Sequence, residues 1–132
     1  MPPLTAADAD TLAQSFRDLA KSMSDFLHAQ WGDLDPGDRQ QVHDNIFDLL
    51  LRSDDLEALA GLLDLDSAAT SVSQLTAATQ QASQFLEKVA DLKKAVSLVA
   101  AGLGLAAAIV AKDPKAIVAS LKTFQGLLKP GP

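Results

Sequence analysis

Residues 95–111 read AVSLVAAGLGLAAAIVA, seventeen positions between Lys94 and Lys112 without a single charge. A helix that is apolar on every side must be buried, in a protein core or in lipid. At 1.5 Å per residue this segment spans roughly 26 Å, just short of the ~30 Å hydrocarbon core of a bilayer. Burial is therefore required, whereas spanning is marginal. Beyond it, Lys112-Asp113-Pro114-Lys115 turns the chain. Asp113 and Pro114 are suited to the N-cap and first turn of a following helix. That helix carries Ile117, Val118, Leu121, Phe124, Leu127 and Leu128 at three-to-four spacing, and Lys129-Pro130-Gly131-Pro132 stops it. The hairpin 95–128 is apolar on its first arm only. Lys122 and Gln125 sit in the middle of the second, which makes it amphipathic and suits it to packing, or to lying on a surface, better than to spanning.

Upstream, no proline occurs from Ser67 to Lys112. A heptad pattern runs through Val72, Leu75, Thr79, Ala82, Leu86, Val89, Lys93, Val96, Ala100, Leu103, Ala107 and Val110, interrupted only by Thr79 and Lys93. It predicts one long central helix over about 67–112, roughly 68 Å from end to end. Gly102 and Gly104, each costing about 1 kcal/mol relative to alanine, mark where such a rod is expected to kink. Residues 69–84 are uncharged and rich in Ser, Thr, Gln and Ala, which permits close approach of another helix. Ala100, Gly104 and Ala108 form a small-xxx-small ridge of the same character. With Val72, Leu75, Leu86 and Val89, these residues make up the expected packing or interaction ridge, facing either the same chain or a second copy.

Towards the N-terminus, Thr5 can cap a helix striped by Leu12, Phe16, Leu19, Met23, Phe26, Leu27 and Trp31. Gly32-Asp33 ends it, and Asp35-Pro36 opens a second helix with Val42, Ile46, Leu49 and Leu50 inward. Ser53 or Asp54 is expected to recap a short third helix bearing Leu56, Leu59, Leu62 and Leu63. Trp31 is expected to lie as a lid over the bundle end, its indole N–H meeting a carbonyl or water. The Trp31-Gly32 turn between helices is similar to that of the WXG-type helical hairpins, but their motif places a residue between tryptophan and glycine, and no family is assigned on it. There is no hairpin signature of β-strands. The expected fold is all-α, a bundle of about five helices in a single domain over 1–132, with acidic helices in 5–66 and the long helix plus apolar hairpin in 67–128.

Charge divides the chain in the same place. Residues 1–66 hold fourteen acids against four basic residues, a net of −10, and residues 67–132 hold seven lysines against three acids, a net of +4. An asymmetry of this kind points to one half packing on the other or to an external partner. Lys112, Lys115, Lys122 and Phe124 are the residues through which the hairpin would meet an anionic membrane. The pI of 4.6 makes nucleic acid a poor partner, since no basic face is available to displace counterions.

Catalytic and cofactor signatures are scarce. Without cysteine there is no thiolate chemistry and no Cys-based metal site. His28 and His43 fall on different helices, and no G-x-S-x-G, Walker A, G-x-G-x-x-G or H-E-x-x-H motif occurs. Asp33-Leu34-Asp35-Pro36-Gly37 superficially resembles the start of an EF-hand loop, but its glycine is one residue early and the fifth-position ligand is missing. No enzyme activity, metal or cofactor is expected. MPPLTAADAD offers neither a basic n-region nor an apolar h-region, so a cytoplasmic protein, or one exported without a Sec signal, is expected. Together these features predict a non-catalytic helical interaction module that binds a protein partner or self-associates through its long helix and apolar hairpin. A membrane-active helical protein using residues 95–128 is the alternative.

Overall fold

Thr5 starts the first helix as its position implies, its hydroxyl oxygen accepting the backbone N–H of Asp8 at 3.0 Å. The computed structural model describes residues 5–59, 72–88 and 91–128, and within them the fold is all-α, with five α-helices and no strand. Helix α1 (Ala6–Ala29) buries Leu12, Phe16, Leu19, Met23 and Phe26 along one side. It packs against both α2 (Pro36–Glu57) and α3 (Val72–Glu87), while α4 (Leu92–Val110) packs against α2 and α5 (Pro114–Leu128). One continuous hydrophobic core runs through all five helices.

A single 3-10 turn, Trp31–Asp33, links α1 to α2. Trp31 is not a lid. Its ring is 52% exposed and lies beneath the Arg39 guanidinium, 5.0 Å from the ring centroid. Arg39 Nε also donates to the Trp31 carbonyl at 2.6 Å, so the arginine holds the turn from both the ring and the backbone. Leu34 makes the buried contact at that end instead.

The expected restart at Ser53 or Asp54 does not occur. Helix α2 continues to Glu57 because the Ser53 hydroxyl, fully buried, donates to the Leu49 carbonyl at 2.8 Å and is satisfied without leaving the helix. Its last turn is tied to α1 by Arg17, which pairs with Asp54 at 2.8 Å and with Glu57. The hydrogen bond that Arg17 donates to Glu57, and then the one it donates to Asp54, raises the Arg17 pKa above the ordinary arginine value. Leu56 and Leu59 are buried, whereas Leu62 and Leu63 lie outside the described residues.

The predicted rod over 67–112 is two helices. Among the described residues α3 ends at Glu87, and the Asp91 carboxylate accepts the Lys94 N–H at 3.2 Å and caps a new helix at Leu92. A straight rod could cover α1 along only part of its length. Two shorter helices bury both apolar stripes against the rest of the chain. At the glycines α4 runs through Gly102 and Gly104 as one helix. At its C-terminal end, Lys112 adopts a left-handed backbone with φ 57°, and the Asp113 N–H reaches back to the Ala108 carbonyl at 3.4 Å. Asp113 then caps α5, its carboxylate accepting the N–H groups of Lys115 and Ala116.

Gly102 shows why α4 fits where it does. A Cβ built there would meet Leu19 and Met23 of α1 and Phe124 of α5, each at 3.3 Å. Glycine lets three helices converge at the centre of the core.

Candidate interaction surface

The predicted ridge divides between core and surface. On α3, Leu75, Thr79, Ala82 and Leu86 are buried and Val72 is half-buried, so that stripe is consumed within the chain, where α3 packs on α1. Thr79 needs no partner from elsewhere, since its hydroxyl donates to the Thr76 carbonyl at 2.8 Å. Val89 lies outside the described residues. On α4, Ala108 is buried, Ala100 is half-buried and Gly104 is exposed, with nothing within 4 Å of a Cβ placed on it. The three small residues do not form one seam. The buried face of α4 instead follows Ala95, Leu98, Val99, Gly102, Leu105 and Ile109, and Leu103 and Val110 are only half-buried.

The four residues singled out for membrane contact also separate. Lys112, Lys115 and Lys122 are exposed, but Phe124 is fully buried against Gly102. In this fold the aromatic belongs to the core and only the lysines face outward.

The surface feature that sequence reasoning missed is on α2. Phe47, Leu50 and Leu51 are exposed by 62%, 42% and 61%, although the opposite side of the same helix is filled by the buried Val42, Leu49, Ser53 and Leu56. Positions 47, 50 and 51 share one helix face, being three and four residues apart. The His43 ring extends that face, with its centroid 5.7 Å from that of Phe47. The same helix carries the exposed carboxylates of Asp44 and Asp48, and those of Asp54 and Asp55, which pair with Arg17 and Arg52. The signal was present as width. Ile46-Phe47 and Leu49-Leu50-Leu51 cover more of the helix circumference than one core-facing stripe needs, yet Leu50 was assigned to the inner side on spacing alone.

His28 and His43 are both exposed; His28 Nδ1 lies 2.9 Å from the Ser24 carbonyl, and the His43 ring lies tilted at 48° to that of Phe47. No group of three or more His, Asp or Glu side chains among the described residues could hold a metal ion. Asp35 acts as the N-cap position of α2, and Asp33 belongs to the 3-10 turn. An open polar groove of about 440 Å³ between α1 and α3 is lined by Ser15, Asp18, Lys21, Ser83 and Glu87 among others.

Compared with known protein families, characterised proteins and solved structures, the chain matches none.

Proposed function

We propose that this protein is a non-catalytic helical interaction module that binds a protein partner through the outward face of α2. The supporting observation is the exposed row of Phe47, Leu50 and Leu51 on a helix whose core face is already complete. Scattered apolar residues on a surface are ordinary, but three adjacent large ones on one helix face form a patch, and patches of this kind mark docking sites. An aromatic flanked by two leucines at helical spacing is also the pattern by which a helix presents anchors to a groove.

The test is a photo-reactive side chain placed at position 47 of the full chain, compared with the same group at the exposed Gln81 of α3. Position 47 is expected to cross-link to a defined protein, a different one or a second copy of the chain; the adduct should disappear when Leu50 and Leu51 are changed to serine. Equal yields at 47 and 81, or none at 47, would sink the reading. Changing Phe47 and Leu51 to serine should shift the unfolding free energy only within the small range typical of surface substitutions, about ±0.5 kcal/mol each.

A second reading, association with anionic membranes through α4 and α5, is supported by one observation. Among the described residues α4 alone is long and apolar enough to cross a membrane by length and composition, but half of that stretch is buried inside the bundle. Insertion would have to draw it away from α1, α2 and α5.

A further inference from the structure

The outward face of α2 has a counterpart on the same chain. Asp54 and Asp55 are already paired with Arg17 and Arg52, which leaves the exposed Asp44 and Asp48 as the acidic edge of the face from which Phe47, Leu50 and Leu51 project. If two copies met face to face through α2, those carboxylates would confront their own equivalents. The cations of α2 are already engaged, Arg39 over Trp31 and Arg52 with Asp55 at 4.0 Å. Like charges set opposite one another across an interface are costly, so the acidic edge selects against a two-fold α2 pairing and favours a cationic occupant.

Such an occupant exists on α5. Pro114, Lys115, Val118, Ala119 and Lys122 line a shallow open depression of about 360 Å³. Three of the five are apolar, and the two lysines lie seven residues apart on one face of the helix. No carboxylate among the described residues is within salt-bridge distance of either lysine. The chain thus carries an apolar projection edged by acids and an apolar depression flanked by bases.

We infer that the α2 stripe is occupied by the α5 depression of a second copy, with Phe47 of one molecule entering between Lys115 and Lys122 of the next. This rests on the reading of α2 as a docking face. The contact joins two different surfaces, so copies add head to tail and do not close as a two-fold dimer. Its small area makes it weak and reversible, and its charged rim makes it sensitive to salt.

Sedimentation velocity on the purified full chain at low ionic strength tests it. The wild type should form species larger than a dimer as concentration rises, and these should recede as salt is added. Two variants, Phe47→Ser with Leu51→Ser and Lys115→Glu with Lys122→Glu, should each remain monomeric with unchanged circular dichroism. Mixed one to one, they should form a capped heterodimer and nothing larger, because each supplies the face the other lacks. A wild type that stays monomeric at high micromolar concentration overturns the inference, as does a dimer that survives in the lysine variant, or a mixture that yields no heterodimer. A strict monomer that still cross-links from position 47 to a different protein removes self-association and leaves the docking face intact. A monomer with no cross-link at position 47 removes both.

Discussion

Two glycines two residues apart on α4 have opposite environments, and Lys112 occupies a conformation that suits a third. Gly104 is exposed with open space around its missing Cβ, so Gly104→Ala should stabilise the protein by up to about 1 kcal/mol through helix propensity alone. Gly102→Ala gains the same propensity but presses a methyl to 3.3 Å from Leu19, Met23 and Phe124, and overpacking of a core commonly costs about 1–3 kcal/mol. Denaturant midpoints should therefore rise for position 104 and not for position 102; equal rises would show that α1 and α5 do not close on that glycine. Lys112, at φ 57°, carries the steric penalty of the left-handed region at the end of α4. Lys112→Gly should raise stability by roughly 1 kcal/mol, and a neutral or negative result would mean that the turn is not held in that geometry.

At the scale of the element, the face that α4 turns inward and the residue that starts it are both open to test. Leu105 and Ile109 are fully buried while Leu103 is half-buried, although the heptad reading placed Leu103 in the seam. Leu105→Ala should cost about 2–5 kcal/mol and Leu103→Ala clearly less. The reverse order would restore the register read from the heptad. Asp91→Ala removes the cap that separates α3 from α4 and should cost about 1 kcal/mol. The Asp91 signal was legible: an acid directly before an apolar run is a helix start. The absence of proline across 67–112 outweighs it in the sequence and makes one helix the simpler reading. Ser53 erred in the opposite sense, since a residue that can cap can also bond backward inside a helix once it is buried.

Over the whole molecule, the net charges of −10 and +4 of the two halves of the sequence correspond in the fold to an acidic α2 face and a set of exposed lysines on the turn and outer side of α5. The lysines are where an anionic surface would attach, at about 1 kcal/mol each near the membrane. If the membrane reading holds, the protein should float with anionic vesicles at low salt, bind zwitterionic ones far less, and lose binding when Lys112, Lys115 and Lys122 are changed to glutamate. No flotation with anionic vesicles at low salt would dispose of it. Because Phe124 and half of α4 belong to the core, deep insertion would also have to open the bundle, so surface attachment is the form in which that reading costs least.

The residues by themselves determined the all-α class, the caps at Thr5 and Asp113 and the inward stripe of α1. In each of these, charged or polar residues alternate with apolar ones at helical period and leave one solution. Only the tertiary structure decided which face of α4 is buried, that Gly102 and not Gly104 admits its neighbours, and that α2 carries a second apolar face. A segment apolar all round has no periodic signal, so its orientation is chosen by the shapes of Leu19, Met23 and Phe124 around it. A helix with apolar residues on two sides gives no sign of which side the rest of the chain will cover until the rest of the chain is in place.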